Sequence, residues 1–329
     1  MTNNKSKEKM VPFLKFYPRY NVASLPSWVT ADIKHASISP LQPKSILMPD
    51  GRRYYMDNKL NHLSGQEWTT FINSVLVTRY PTRGKESYAH DIRKIHPTPK
   101  PPQLMRDIIS FFTKENETVA DIFMGVGGTL LGAALCGRKG IGIDLNEIYL
   151  AAYHEAAKAL GLKEFKTYCA DCISILKSTT KCKRIFKEPV SLLLIDPPYG
   201  NMMARKKTGA DMAVYGQKAT PFTNKAEDLG NMDIPSFLNA LQKAVELTLP
   251  YIKPHGHIVV FIKDLQPKGK QLNMLHYDIA NKINEIDGVN YKGMRIWADA
   301  TAKLFPYGYP FSFVANQIHQ YILVFRKEK

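Results

Sequence analysis

Long apolar runs are missing from this chain. No stretch approaches the about 20 apolar residues that a membrane-spanning helix needs. The opening MTNNKSKEKM is polar and has no apolar signal core. A soluble cytoplasmic protein with no membrane partner is the expectation, associated with the nucleoid if bacterial. Cysteine is scarce, four in 329 residues. Cys169 and Cys172 form a C-x-x-C with Cys182 downstream. Cys136 lies far upstream in a helical stretch, and no H-x-x-x-H pair supplies further zinc ligands. Reduced thiols and no metal site are therefore expected. Internal repeats and low-complexity tracts are lacking as well. Acidic residues are in deficit: 29 Asp and Glu face 45 Lys and Arg, a net charge of +16. Such an excess favours polyanion partners through phosphate contacts and counterion release.

Apolar residues make up 44% of the chain, enough for a full core. Residues 1–17 read as a mobile basic tail. Residues 18–95 are rich in Pro, Tyr and charge. Around SGQEWTTFINSVLV a short helix is expected, with a capping box from Ser64 to Glu67. From Pro97 onward the pattern alternates. Helix PPQLMRDIISFFT leads to strand TVADIF, then helix GGTLLGAALCG and strand KGIGID. Helix NEIYLAAYHEAAKAL and strands FKTYCAD and VSLLLID follow, then helix IPSFLNALQKAVELTLPYI and strand HIVVFIKD. Helix LHYDIANKINEI precedes two closing strands, YKGMRIWAD and IHQYILVFRK, with no helix between them. This alternation predicts an α/β, Rossmann-like fold: a mostly parallel seven-stranded sheet with a terminal antiparallel hairpin, plus an N-terminal basic extension. The expected division is a basic N-terminal extension over 1–95 and an α/β domain over 96–329.

Two stretches carry chemistry. In Asp121–Asp144, a strand meets a Gly-rich turn that opens a helix. Gly125 and Gly127 allow close backbone approach and unusual φ values. Asp144 ends the next strand, placed to accept from ribose hydroxyls. Asp121 and Phe123 flank the turn and join it as candidate contacts. By itself this implies only a nucleoside-bearing cofactor, leaving NAD, FAD and S-adenosylmethionine open. The second stretch, LLIDPPYG, drives a buried strand into Asp196, Pro197, Pro198 and Tyr199. The prolines fix the backbone so that a carboxylate oxygen and a peptide carbonyl point at one spot. Two acceptors match the two donors of an exocyclic amino group. Tyr199 offers a flat face on which a base stacks. Hydrogen bonding of both protons raises the nitrogen lone pair toward an incoming methyl group.

Together, DIFMGVG…GIGID and DPPY resemble the S-adenosylmethionine-dependent amino-methyltransferases that act on adenine N6 or cytosine N4 in DNA. HPTPKPPQLM, His96 to Met105, resembles the element that precedes the Gly loop in the beta-class bacterial enzymes. The resemblance covers about residues 94–329 and implies S-adenosylmethionine as cofactor. It implies that Thr98 and Lys100 hold the cofactor's methionine carboxylate, by hydroxyl and ammonium chemistry. Asp171, after the third strand, is a candidate acceptor for the cofactor's adenine amino group. DPPY follows the Gly loop here, an order closer to the gamma group, so the chain reads as a permuted relative. The aspartate in DPPY favours adenine N6 over cytosine N4. tRNA guanine-N2 methyltransferases, some of which also carry DPPYG, stand as the alternative, and a non-enzymatic nucleic-acid-binding subunit stands last.

A base inside a duplex cannot reach such a crevice, so double-stranded DNA as substrate implies base flipping. The segment Gly200–Gly230 reads as a long basic loop, with Arg205, Lys206 and Lys207 as candidate phosphate contacts. Arg52, Arg53 and Arg83 are the N-terminal candidates, in a stretch where residues 1–100 hold 16 Lys and Arg against 7 Asp and Glu. A homodimer and a cognate restriction endonuclease stand open as further partners. Trp297 and FPYGYPFSF, Phe305 to Phe313, form an aromatic cluster that either walls the target-base pocket or covers the sheet, the second being preferred for most of its rings.

Overall fold

The computed structural model describes residues 10–202, 221–264 and 274–329. They fall into two compact units, Met1–Asn73 with Ser110–Glu117, and Ser74–Ile109 with Thr118–Lys329. The smaller unit contains a four-stranded antiparallel sheet built from Val11–Pro12, Ser37–Ser39, Gln42–Leu47 and Arg53–Tyr55. Phe13, Val29, Ile38 and Ile46 are fully buried in its core. Residues 11–17 are therefore folded and not a tail: Val11–Pro12 is a strand of this sheet and Phe13–Phe16 a short helix, with Phe13 as a large apolar anchor. The capping box at Ser64 is present and starts a helix over Gly65–Phe71. That helix ends before the β-branched run Val75–Thr78, which pairs as a strand in the second unit.

The second unit is organised by one sheet, whose strands are numbered here in chain order: β1 (Val75–Thr78), β2 (Thr118–Asp121), β3 (Lys139–Asp144), β4 (Thr167–Cys169), β5 (Val190–Ile195), β6 (Ile252–Ile262), β7 (Val289–Asp299) and β8 (His319–Lys327). Their spatial order is β1-β7-β8-β6-β5-β2-β3-β4. Neighbours pair in parallel, except that β8 runs antiparallel to both β6 and β7. The expected α/β sheet and its closing antiparallel pair are thus present. The sheet has eight strands where seven were expected, because Val75–Thr78 adds an outer parallel strand to β7.

Chain order reverses between β2 and β5. From β2 the chain moves outward through β3 and β4, then returns to β5 on the other side and continues to β6. In open α/β sheets a crevice forms at this switch point, beyond the carboxyl ends of the two strands. Here those ends are Asp121 and Ile195, the residue before Asp196. All six residues of β5 and all four of β2 are buried. That fits parallel strands covered on both faces, which read as apolar runs and not as alternating patterns.

Helix α1 (Pro102–Phe112) precedes β2; α2 (Gly128–Leu135) connects β2 to β3, and α3 (Glu147–Ala159) connects β3 to β4. Asn146 caps α3 by accepting from the Ile148 N–H, and Gly137 and Gly161, both at positive φ, follow the ends of α2 and α3. The β2–α2 turn requires glycine at 127. Its φ is 75°, and a Cβ there would lie 2.2 Å from the Tyr153 ring of α3. A left-handed conformation costs an ordinary residue about 1–2 kcal/mol before any clash is counted. Gly127→Ala is accordingly expected to lower the melting temperature by at least about 2 °C; unfolding followed by circular dichroism checks this, and an unchanged midpoint would contradict it.

Candidate active site

The switch-point crevice is a narrow cleft, open to solvent on one side. His96, Thr98 and Lys100 line it, together with Asp121, Phe123, Gly125, Thr129 and Asp196. Three sequence elements separated by up to about a hundred residues thus meet in one place: the HPTPKP stretch, the Gly turn and the DPPY corner.

Asp196 stands where β5 can no longer continue, since Pro197 and Pro198 have no N–H for the ladder. Two groups hold its carboxylate. Lys100 Nζ lies 2.5 Å from Oδ2 and the Tyr199 hydroxyl donates to Oδ1 at 3.0 Å. The side chains of Lys100 and Asp196 are 7% and 16% exposed, so the pair is largely out of water. Lys100 also sits 5.3 Å over the Phe261 ring. Its backbone carbonyl accepts from Arg93 Nη1 at 2.9 Å, and Arg93 Nε donates to the Tyr88 carbonyl. Arg93 is 1% exposed, and burial pushes its guanidinium down to about 10. Arg93 therefore fastens the stretch from Tyr88 to Lys100 from within.

His96 packs on the Gly turn: a Cβ at Gly125 would be 3.3 Å from its ring. Its Nδ1 accepts from the Thr98 N–H, which assigns the proton to Nε2. Burial, followed by the nearby Lys100 charge, pushes His96 down to about 3, so the ring is neutral. Asp144 Oδ2 accepts from the Gly125 N–H at 2.7 Å and Oδ1 from the Asn146 N–H at 2.9 Å. The acid that ends β3 thus ties the Gly turn to the neighbouring strand, and burial raises it to about 6. Asp121 accepts from the Phe123 N–H, and burial raises it to about 7.

Several expected residues hold other positions. Tyr199 is 9% exposed and packed in the core, with burial raising its hydroxyl well above the usual range. Its ring presents no open stacking face; its reach into the site is the hydrogen bond to Asp196. Asp171 is the N-cap of the helix Cys172–Leu176, accepting from Ile173 and Ser174, so its carboxylate serves a backbone role. Cys172 is buried and its thiol is pushed up, while Cys169 is exposed. Arg53 and Arg83 are exposed. Arg52 donates to Asp50 and lies 4.3 Å over the Trp28 ring. Arg205, Lys206 and Lys207 lie outside the described residues. Residues 221–231, expected within a structureless loop, are folded around buried Asp228, which accepts from Thr223 Oγ1 and the Gly230 N–H. They bring Phe222 into a stack with His96, ring centroids 5.1 Å apart. Sequence reading passed over Arg93, Phe222 and Asp228; an arginine and an aspartate amid polar stretches carry no sign that they will be buried.

The donor set suits a ligand with a carboxylate, an ammonium and a positive sulfur. Asp121 is a buried acid and Asp144 a half-buried one, and neither has an ion pair among the described residues. Lys100 has three N–H donors and uses one on Asp196, which leaves donors for a ligand carboxylate beside the Thr98 hydroxyl.

Comparisons with known proteins agree with this geometry. A family model described as DNA methylase matches residues 21–155, through the HPTPKP stretch and the Gly turn. The Type II methyltransferase M1.MboII of Moraxella bovis is 34% identical over 131 residues, 40% of this chain and 45% of that protein. The chain is related to the amino-methyltransferases. The resemblance read from its motifs is borne out, and with it the S-adenosylmethionine cofactor of that family. A tRNA (guanine(10)-N2)-dimethyltransferase of Methanocaldococcus jannaschii is 30% identical over 149 residues, 43% of this chain and 40% of that protein. The matches thus span less than half the length of either relative. Among solved structures, TrmN from Thermus thermophilus aligns with a TM-score of 0.47 at 16% identity, over 74% of this chain and 53% of that one; so remote a likeness adds no weight. No helix of the described residues is long and apolar enough to cross a membrane.

A contact between Asp121 and the cationic end of the cofactor would make binding sensitive to pH, because burial raises this carboxyl. An acid at about 7 is largely protonated at pH 5 and must lose that proton to meet a cation. Affinity for S-adenosylmethionine is expected to rise between pH 5 and about 7, by up to about tenfold per unit, and then level off. Titration calorimetry across that range checks this, with Asp121→Asn expected to flatten the profile. A flat profile in the unaltered protein would contradict it.

Proposed function

We propose that the protein transfers a methyl group from S-adenosylmethionine to an exocyclic amino group in DNA, adenine N6 in preference to cytosine N4. The observation that carries this reading is the position of Asp196: it ends β5 at the switch point, followed by two prolines, in the same cleft as the Gly turn. Bound there, the cofactor supplies an electrophilic methyl group. The protein's part is to hold the acceptor. The Asp196 carboxylate accepts one amino proton and the Pro197 carbonyl the other, so the nitrogen lone pair is left to face the cofactor side of the cleft. Lys100 and Tyr199 keep the carboxylate in one orientation, which is the kind of fixed positioning that lowers a barrier without a nucleophilic residue.

Thr98, Lys100 and Asp121 are the proposed contacts to the amino-acid end of the cofactor, with the backbone of Gly125 and Gly127 beside it and Phe123 along the wall. Asp144 holds the turn in shape and lies toward the ribose. DNA is preferred as substrate because the matching family model is described as DNA methylase and a modification methyltransferase is among the relatives. The basic residues of the first 95 positions, Arg53 and Arg83 foremost, are proposed phosphate contacts. The second reading, methylation of a guanine amino group in tRNA, is favoured by the archaeal relative and uses the same corner.

Asp196→Ala is expected to lower methyl transfer about a hundredfold or more, while S-adenosylmethionine still binds. Incorporation of labelled methyl groups, read beside calorimetric cofactor binding, separates the two. Retention of full transfer by the variant would remove Asp196 from the mechanism.

A further inference from the structure

The segment between β7 and β8, residues 300–318, carries the most exposed rings of the described residues. Tyr309 is 80% exposed, Phe311 94% and Phe313 92%, and Leu304 beside them is 70% exposed. The expectation that this aromatic cluster covers the sheet holds only for Trp297, which is 5% exposed and donates its indole N–H to Thr78 Oγ1. Large apolar side chains standing almost wholly in water form a patch of the kind that marks an interaction surface.

The segment is built to hold them out. Asn316 clamps its base on both sides, its Oδ1 accepting from the Phe305 N–H and its Nδ2 donating to the Phe305 carbonyl, each at 2.7 Å. At the tip the N–H groups of Phe311 and Ser312 both donate to the Gly308 carbonyl at 2.8 Å. Gly308 has φ 75°, and a Cβ there would lie 2.5 Å from the Ser312 carbonyl, so only glycine closes the turn. A pre-shaped turn spends little ordering entropy when its rings are covered.

Its place on the sheet says what covers them. β8 runs antiparallel to β6, so it starts at the edge where β6 ends: Tyr321 pairs with Ile262. Val260 pairs with Leu323 on one side and with Ile195 on the other. The 300–318 segment therefore leaves the sheet at the same edge that carries Asp196. Within the segment itself, residues 300–318, there is no acidic residue, while Lys303 is cationic. Aromatic rings in a stretch free of negative charge suit a partner that has flat apolar surfaces between phosphates.

We propose that Phe311 and Phe313 contact the bases of a DNA duplex next to the target base, stacking on or wedging into the step opened when that base is extruded. Extrusion unstacks the neighbours of the flipped base, and apolar side chains at such a step offset part of that loss. The inference rests on the reading of the site as a DNA amino-methyltransferase, and adds a contact made at a distance from Asp196.

The test compares the full chain with its Phe311→Ala/Phe313→Ala variant, using anisotropy of a fluorescein-labelled DNA duplex that carries one mismatched, readily extruded adenine, at several salt concentrations. Ring stacking predicts an affinity loss of about tenfold or more. The slope of affinity against salt should stay unchanged, because that slope counts phosphate contacts. Melting temperature and gel-filtration volume should match the unaltered protein, and Phe311→Tyr/Phe313→Tyr should restore binding. Equal affinity in the alanine variant overturns the proposal while leaving the methyltransferase reading intact. A changed oligomeric state would assign the rings to contact between copies of the chain and overturn it too. Binding to tRNA without binding to duplex DNA would overturn both this contact and the choice of DNA as substrate.

Discussion

A carboxylate at the end of a fully buried strand needs partners, and the pair that Asp196 forms with Lys100 is the constraint around which this site is built. Moving the two charges out of water costs several kcal/mol per ion, which their mutual attraction offsets only with good geometry and further hydrogen bonds. Tyr199 supplies one such bond to Asp196, and the Phe261 ring lies under the ammonium. The pair also joins two parts of the chain that are 96 residues apart. Lys100 comes from the stretch before α1 and Asp196 from the end of β5. The pair holds the stretch before α1 and the end of β5 in register across the cleft.

The same logic extends outward from Lys100. Arg93 grips the carbonyl of Lys100 from within the protein, and neutral His96 lies on Gly125. Asp144 ties the Gly125 N–H to the end of β3. The cleft's elements are thus fastened by two bonds to backbone and one ring packed on the turn, which keeps the turn shaped before any ligand arrives. Two carboxyls raised by burial, Asp121 and Asp144, are left facing positive charge that the ligand must bring. Raised carboxyls clustered in a cleft are what is expected where titratable groups gather at a functional site.

Much of this was legible beforehand. The alternation of strands and helices, the Gly turn and the strand ending at Asp196 are local patterns, and periodicity reports local patterns well. Lys100 was singled out for its ammonium, yet its partner Asp196 is a tertiary fact that no spacing encodes. Asp171 was read as a ligand because acids after strands line such crevices, but an aspartate just before a helix is equally a cap, and here the cap won. The Val75–Thr78 strand was hidden behind a helix signal because four residues carry little periodicity. For the rings of Phe311 and Phe313 the sequence leaves open a wall of the base pocket or a cover for the sheet; the turn closed at Gly308 and clamped by Asn316 turns them to water.

The claim on which everything here depends is that an amino group in DNA is the methyl acceptor. Incubation of the purified protein with tritium-labelled S-adenosylmethionine and a mixture of DNA and tRNA, followed by nucleoside mass spectrometry, tests it most directly. Label in DNA as N6-methyladenine is the predicted result. Label confined to tRNA, or no transfer to either nucleic acid, would contradict it.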